Sequence, residues 1–301
     1  MRVMLTGASG QLGWELARCL MPVAEVVAPS AQQCDLAMPE KLASVVEHIA
    51  PDVIINAAAY TAVDRAEQEA ALVMRVNGEA VGALARAAKR AGALFVHYST
   101  DYVFNGQKTS PYLETDAVAP LNVYGCSKLS GEQLALASGA DVLVLRTTWV
   151  YAARGQNFVR TMLRLGRERK QLSVVSDQYG APTWARNLAD ASVAIVREAQ
   201  RQRCAGNFSS GLFHLTAGGQ ISWHGFATRI FALMRELHPD YPLLVNEVTA
   251  IPTEAYPTPA CRPANSILDN TAVEQHFVVK MPQWQTALAA CIAELDAARL
   301  P

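Results

Sequence analysis

Residues 2 to 13 read RVMLTGASGQLG and contain the strongest indication of the fold class. An apolar run that suits a buried strand is followed by Gly7, Gly10 and Gly13, and then by a helical pattern that continues to Met21. Glycine permits a tight turn and a close approach of the backbone, so this spacing predicts a strand, a sharp turn and a helix. The same order of strand and helix recurs through the first half of the chain.

Short β-branched runs alternate with alanine-rich helical stretches. Nearly continuous apolar runs predict further buried strands at EVVAP, DVIINAAA, ALFVHYST and DVLVLRTT. Apolar residues at a spacing of about 3.6 predict helices at PEKLASVVEHIA, ALVMRVNGEAVGALARAAKRAG and SKLSGEQLALASG. Repeated βα units of this kind indicate an α/β fold with a doubly wound parallel sheet of the Rossmann type.

Charge and composition exclude several classes of partner. The 26 basic and 27 acidic residues are well mixed and leave a net charge of −1, so no basic stripe offers a nucleic-acid footprint. The six cysteines are scattered without metal-ligand spacing, which suits reduced thiols in a cytosol. We expect no export signal, no membrane span and a cytoplasmic protein, because no apolar run reaches the roughly 18 residues that a span needs.

The glycine turn predicts a dinucleotide site. The backbone amides around Gly7, Gly10, Gln11, Leu12 and Gly13 could hold a diphosphate at the positive end of the helix. The spacing G-x-x-G-x-x-G is one residue wider than the standard fingerprint and is typical of short-chain dehydrogenases. A tight turn without a ligand is the alternative interpretation.

The end of the second predicted strand bears on the choice of cofactor. It reads Ala28, Pro29, Ser30 and contains no carboxylate that would repel a 2′-phosphate, which favours NADPH. NADH is also possible as the cofactor, because no arginine is present there to bind a 2′-phosphate. Asp35 and Leu36 are expected beside the adenine. Ala58, Ala59 and Thr61 are expected on the nicotinamide side, although close packing alone would also explain the alanines.

The order of the predicted strands and helices gives a provisional division of the chain into domains. Residues 1–148 are predicted to form the dinucleotide-binding domain, completed by about 184–217, where a helix and the strand GLFHLTA return to the sheet. Residues 149–183 and 218–301 are predicted to form a smaller C-terminal α/β substrate-binding lobe.

The stretch VYGCSKLSGE sets Tyr124 and Lys128 four residues apart on a predicted helix. Residues at this spacing share one face, so the Lys128 ammonium could lie near the Tyr124 phenol and lower its pKa from about 10. Thr100 ends the fourth predicted strand, at the edge where open α/β sheets bind ligands, and could donate a hydrogen bond to a substrate carbonyl. We therefore predict a catalytic trio of Thr100, Tyr124 and Lys128, the alternative being a solvated pair beside a structural hydroxyl.

The stretches TGASGQLG, NAAAYT, STDYVF and YGCSK, in this order, resemble the extended short-chain dehydrogenases/reductases. The longer stretches NAAAYTAVDRAE, HYSTDYVFNG, PLNVYGCSKLSGE, RTTWVYA, NFVRTMLRL, DQYGAPT and RPANS narrow the resemblance to the dTDP-4-dehydrorhamnose reductase family. That resemblance implies NADPH-dependent reduction of the 4-keto group of dTDP-4-dehydro-L-rhamnose to dTDP-L-rhamnose. It further implies that Tyr124 protonates the oxygen, Thr100 holds it, and Lys128 binds the nicotinamide ribose.

The residue after Thr100 separates this reaction from dehydration. Dehydratases of the superfamily carry Asp and then Glu there, whereas this chain has Asp101 and then Tyr102, and so lacks half of the acid–base pair. The resemblance implies that Asp101, Tyr102, Trp149, Asn157 and Arg262 contact the substrate. Trp149 could instead be a core residue, and Arg262 could pair with an acid of the fold.

Some members of the family bind Mg²⁺ through glutamates at a dimer interface. Glu15 fits one such position, but Arg186 stands where a second glutamate would fall, so we expect no metal site. A homodimer formed by other contacts is implied by the resemblance. His97, His214 and His224 lie in or beside apolar runs and are interpreted as core or capping histidines.

Two alternatives to this enzyme remain at the level of sequence. The first is a non-catalytic NADP-binding regulatory subunit of the methionine adenosyltransferase type, which shares the fold. The second is a reductase of another nucleotide-linked keto-sugar. The presence of Thr100, Tyr124 and Lys128 together favours an enzyme over the regulatory subunit.

Overall fold

A six-stranded parallel sheet lies at the centre of the structure, a computed structural model that describes residues 1–295. Its strand order is β10-β5-β4-β3-β1-β2, with the strands at β1 (Arg2–Thr6), β2 (Glu25–Val27), β3 (Val53–Asn56), β4 (Leu94–Thr100), β5 (Asp141–Thr147) and β10 (Gly211–His214). The chain runs outward from β1 in both directions, which confirms the predicted doubly wound sheet. The reversal at β1 and β3 opens a crevice at their carboxyl ends, where folds of this class bind ligands.

Helices cover both faces of this sheet. The helices of the amino-terminal two thirds are α1 (Gln11–Leu20), α2 (Leu42–Ile49), α3 (Val63–Ala66), α4 (Ala70–Met74), α5 (Ala80–Ala91), α6 (Val123–Leu136), α7 (Phe158–Glu168) and α8 (Ala185–Cys204). Because strand side chains alternate, Leu5 packs with α1 and α8 on one face, while Met4 packs with α2 and α5 on the other. Both faces are therefore apolar, as the continuous apolar strands predicted.

The remaining elements, apart from α10, surround a second apolar core. They comprise β6 (Val150–Tyr151), β7 (Gln171–Val175), β8 (Tyr179–Gly180), β9 (Thr183–Trp184), β11 (Ile221–Ser222), α9 (Trp223–Leu237), β12 (Glu247–Ile251), β13 (Asn265–Ser266), α10 (Thr271–Phe277) and α11 (Trp284–Ala293). Side chains of α7, α9 and α11 share one cluster with β7. We call these elements, with α7 and without α10, the C-terminal lobe.

The two cores do not follow the predicted domain division at every point. Helix α8 and strand β10 join the central sheet, in line with the prediction that they return to it. Helix α10, however, was predicted within the lobe and instead packs Val273 and Phe277 into the core of the sheet. The division of the chain into domains therefore stays a proposal.

One predicted helix is interrupted. The pattern of residues 71–92 indicated a single helix, but a π-helical turn, Arg75–Glu79, separates α4 from α5. Asn77 in this turn accepts a hydrogen bond from the Tyr60 amide at 2.8 Å and donates one to the Tyr60 carbonyl at 3.0 Å. The widened turn aims Asn77 at the loop after β3, an arrangement common near functional sites. Among residues 1–295, no helix has both the length and the apolar character to cross a membrane.

Candidate active site

The glycine turn packs as tightly as its sequence predicted. Gly7 has φ +72°, and a Cβ there would lie 2.7 Å from the Ala58 amide nitrogen. A Cβ on Gly13 would lie 2.0 Å from the Gly7 carbonyl oxygen, so only glycine fits at either point. Helix α1 begins after Gly10 without a side-chain cap, which leaves its first amides free to bind an anion. This cradle fits the diphosphate of a dinucleotide.

Gln11 connects this turn to the C-terminal lobe. Its amide oxygen accepts a hydrogen bond from Asn157 Nδ2 at 2.8 Å. Asn157 also donates to the Ala152 carbonyl at 2.9 Å and caps α7 by accepting from the Arg160 amide at 3.1 Å. These bonds give Asn157 a structural role, and its contact with the substrate stays a prediction.

The residues predicted around the rest of the cofactor are spread along one edge of the sheet. Leu36 is buried among core residues, while the Asp35 carboxylate accepts a hydrogen bond from the Ala37 amide at 2.8 Å. Leu12, Ala58 and Ala59 are half-buried, and Thr61 is exposed. Leu36 is thus a residue of the apolar core. Ala58, one of the small residues after β3, borders the glycine turn.

Thr100 and Tyr124 meet where β4 ends and α6 begins. Asn122 caps α6 by accepting from the Gly125 amide at 2.8 Å, which places Tyr124 in the first turn of the helix. A Cβ on Gly125 would lie 2.3 Å from the Tyr102 carbonyl, so glycine lets α6 approach the end of β4. The Tyr102 ring lies edge-on to Tyr124 at 5.5 Å.

The electrostatics of Tyr124 differ from the prediction. Burial raises the pKa of its phenol, the Asp101 carboxylate raises it further, and a hydrogen bond to Thr100 opposes this rise. Lys128 is not among these influences, so the predicted lowering of the Tyr124 pKa by Lys128 is wrong for this state of the protein. The reason is that the lysine side chain turns inward.

Lys128 is buried beneath the site. Its Nζ donates to the Tyr98 carbonyl at 2.5 Å and lies 3.2 Å from His97 Nε2. Burial lowers the pKa of Lys128 to about 8, and the Glu132 carboxylate partly offsets that effect. His97 is a buried histidine, as its apolar run indicated, but its contact with Lys128 could not be read from the sequence.

Asp101 is the second titratable group at this edge of the sheet. Its side chain is 2% exposed, and burial raises its pKa to about 6 against hydrogen bonds from Ser266 and Thr100. The Thr100 hydroxyl lies 3.1 Å from the Asp101 carboxylate. Ser99 and Thr147, which also end β4 and β5, have buried hydroxyl oxygens with no described partner. The sequence signal for Thr147 was only its position after a buried strand.

Trp149 is held in an unusual backbone conformation. It has φ +46°, and its ring stacks on Trp223 with centroids 3.4 Å apart and planes 9° apart. A Cβ on Gly180 would lie 2.5 Å from the Trp149 ring, so glycine makes room for the indole. The ring is half-buried, and it is therefore neither a fully enclosed core residue nor a free platform.

Arg262 pairs with an acid. Its guanidinium binds both carboxylate oxygens of Asp64, at 2.7 and 3.0 Å, and also contacts Thr258. The structure thus favours the structural alternative over a free guanidinium waiting for a diphosphate. This link ties the loop before β13 to α3.

Glu15, which fits one metal-binding position of the family, is bound by arginines. Glu15 is buried, and its oxygens lie 2.9 Å from Arg18 and 3.2 Å from Arg186. Arg186 also forms an ion pair with Glu294. Residues 1–295 contain no cluster of three or more His, Cys, Asp or Glu that could hold a metal.

Comparisons with known proteins show the family of the chain. The family model described as the RmlD substrate binding domain matches residues 1–297. A dTDP-4-dehydrorhamnose reductase from Burkholderia thailandensis is 54% identical over 98% of this chain and 99% of its own length. The corresponding reductase from Escherichia coli K12 is 45% identical over 98% of both chains.

Solved structures agree as well. A dTDP-4-dehydrorhamnose reductase from Clostridium acetobutylicum superimposes with a TM-score of 0.89 at 36% identity and covers 97% of this chain and 98% of its own. One from Bacillus anthracis, in complex with NADP, has a TM-score of 0.85 at 35% identity and covers 97% of this chain and 99% of its own. The fold, the glycine cradle and the Tyr124 region define a Rossmann-type short-chain dehydrogenase/reductase. Within that class, the chain belongs to the RmlD family of dTDP-4-dehydrorhamnose reductases.

Proposed function

We propose that this chain reduces the 4-keto group of dTDP-4-dehydro-L-rhamnose to give dTDP-L-rhamnose, with NADPH as the cofactor. The observation that carries the proposal is the meeting of Tyr124, Thr100 and Asp101 at the carboxyl edge of the sheet, the same edge that carries the glycine cradle after β1. Relatives that span the whole chain have this activity by name, and one solved relative holds NADP.

The residues of the chain divide the work of reduction. NADPH, when bound, would supply the hydride. Tyr124 gives its proton to the carbonyl oxygen, and its raised pKa keeps the phenol protonated at neutral pH, as a proton donor requires. The Thr100 hydroxyl, which has a single proton, would turn from Asp101 to donate a hydrogen bond to the same oxygen as negative charge develops on it. Lys128 supplies an ammonium at the floor of the site.

The substrate contacts belong to the same proposal. Tyr102 and Asp101 border Tyr124, and the part of the half-buried Trp149 ring that remains accessible can cover the apolar C–H surface of a sugar. Amides at the start of α1 hold the cofactor diphosphate. Ala28 to Ser30, with no carboxylate, leave room for a 2′-phosphate.

The direct test is the loss of NADPH absorbance when purified protein meets dTDP-4-dehydro-L-rhamnose. Turnover that needs this substrate supports the proposal, while cofactor binding without oxidation points to the regulatory subunit. Comparing the rates with UDP- and GDP-linked 4-keto-sugars would measure the preference of the enzyme for the nucleotide base. The homodimer and the cytoplasmic location remain predictions, and sedimentation would test the first.

A further inference from the structure

A continuous chain of buried polar groups runs from Lys128 to the strand before the glycine turn. His97 Nε2 lies 3.2 Å from Lys128 Nζ, and its Nδ1 lies 3.1 Å from the amide group of Asn56. The Asn56 amide in turn lies 2.6 Å from the Thr6 hydroxyl. All four side chains are at most 3% exposed, so water has little access to these contacts.

We propose that His97 is a positioning residue for the reduction: its neutral imidazole accepts a hydrogen bond from the Lys128 ammonium, while Asn56 and Thr6 hold the ring in place. The contribution to catalysis rests on the proposed function, whereas the contact itself does not. An ammonium has three donors, of which Tyr98 and His97 use two. One donor then remains for a ligand.

The scarcity of negative charge around Lys128 makes the His97 acceptor important for stabilising the ammonium. Burial lowers the pKa of Lys128 to about 8 and holds that of His97 well below its usual range, so the imidazole is neutral and has a free lone pair. The charge nearest to Lys128 on its own helix is Glu132, which is itself paired with Arg146 of β5 at 2.7 Å. The π-helical turn presents only the neutral Asn77, bonded to Ser127, and β4 presents His97. No carboxylate in direct contact balances the buried ammonium within residues 1–295.

The proton on His97 must follow the charge of Lys128. When Lys128 is an ammonium, Nε2 accepts, Nδ1 carries the proton and donates to the Asn56 amide oxygen, and the amide nitrogen donates to Thr6. When Lys128 is a neutral amine, Nε2 carries the proton, Nδ1 accepts from the amide nitrogen, and Thr6 donates to the amide oxygen, which is the amide orientation of the structure. Both arrangements use the same heavy-atom positions, because an amide can turn end for end.

Two nuclear magnetic resonance titrations of the cofactor-free protein test the contact. The ¹³Cε signals of the six lysines are followed with pH, and Lys128→Met identifies the buried one. We expect His97→Leu to lower the Lys128 midpoint by about one pH unit or more, since a hydrogen bond to the charged form is lost. His97→Gln, which restores an acceptor, should stay near wild type, as should the remote His238→Gln.

Ring ¹⁵N shifts give a readout that a purely structural histidine would not move. His97 should change from the Nδ1–H to the Nε2–H tautomer across the Lys128 titration. A folded His97→Leu protein with an unchanged Lys128 midpoint, or a single His97 tautomer throughout, would overturn the proposal. If His97→Leu does not fold, Asn56→Ala decides in its place: a lowered midpoint supports the proposal and an unchanged one refutes it.

The catalytic role of His97 is tested by measuring how kcat depends on pH. In His97→Leu the alkaline limb should move to lower pH by the same shift as the Lys128 midpoint, with NADPH still bound, and His97→Gln should restore it. An unmoved limb beside a moved midpoint would refute the catalytic role alone. Should wild type never oxidise NADPH with a dTDP-4-keto-sugar, the proposed function fails, while the lysine titration still decides the contact.

Discussion

Tyr124 is the group on which the chemistry depends most directly. Tyr124→Phe removes the proton donor but keeps the ring, so we expect NADPH binding to persist and kcat to fall by about a hundred- to ten-thousand-fold. Tyr112→Phe is the matched control, because it deletes the hydroxyl of another buried tyrosine, outside the site. Steady-state NADPH oxidation and a fluorescence titration of NADPH make the comparison. Near-normal turnover in Tyr124→Phe would exclude Tyr124 as the donor.

Asp101 makes stability depend on pH. Burial raises its pKa from 3.8 to about 6, so between these values the native state holds a proton that the unfolded state has released. Stability must therefore fall as pH rises through this window, by up to roughly 3 kcal/mol for a shift of this size. Asp101→Asn should lose less stability than wild type between pH 4 and pH 8 in urea unfolding. Parallel curves for the two proteins would show that Asp101 ionises as freely in the native state as in the unfolded one.

The sequence predicts relations between residues that are close along the chain, but not contacts between residues that are far apart in it. The four-residue spacing of Tyr124 and Lys128 correctly puts both on α6. It could not reveal that Lys128 turns toward His97, or that Arg262 meets Asp64 across 198 positions. Such pairs depend on how the sheet and the lobe are assembled, and a single sequence does not record them.

Elements α1, α8 and α11 meet around Glu15, and the side chains that they place there determine whether Glu15 can bind Mg²⁺. Because Arg18 and Arg186 already neutralise its carboxylate, neither Mg²⁺ nor EDTA should change the Tm of the wild-type protein. Arg186→Glu would set a third carboxylate beside Glu15 and Glu294, so that variant should be less stable and should regain Tm with Mg²⁺.

Arg186→Gln separates charge from metal binding in this experiment. It loses the same ion pairs without adding a carboxylate, and it should be destabilised with no response to Mg²⁺. A wild-type Tm that falls in EDTA and recovers with Mg²⁺ would contradict the assignment of arginine as the counter-charge.

The order of elements explains why the sheet was predictable while the lobe was less so. Six strands with apolar side chains on both faces and glycine or alanine at their ends leave few alternatives to a parallel sheet. The two-residue strands β6, β8, β9, β11 and β13 carry no periodicity of their own and form only where the lobe brings them together. The π-helical turn was missed because its sequence reads as a continuous helix and tertiary bonds of Asn77 widen it.

At the scale of the whole molecule, contacts between the start of α1 and the segment before α7 join the glycine turn to the lobe, and we expect them to couple cofactor binding to it. Gln11 bonds to Asn157, the cap of α7, and Arg154 lies 3.8 Å above the Trp14 ring, so a cofactor that orders α1 should also steady α7. Saturating NADPH, at about 100 times its Kd, stabilises by about 2.7 kcal/mol and should slow hydrogen exchange in both α1 and the first turns of α7.

Asn157→Ala cuts this link and tests it. In that variant NADPH should still protect α1 but no longer the first turns of α7, as measured by hydrogen–deuterium exchange mass spectrometry. Ser222→Ala is the control for losing a helix cap, because Ser222 caps α9 at 3.1 Å and none of its described bonds reaches α1. It should cost about 1 kcal/mol of stability and leave the protection of α7 by NADPH intact. Protection of α7 that survives Asn157→Ala would mean that the cofactor reaches the lobe by another route.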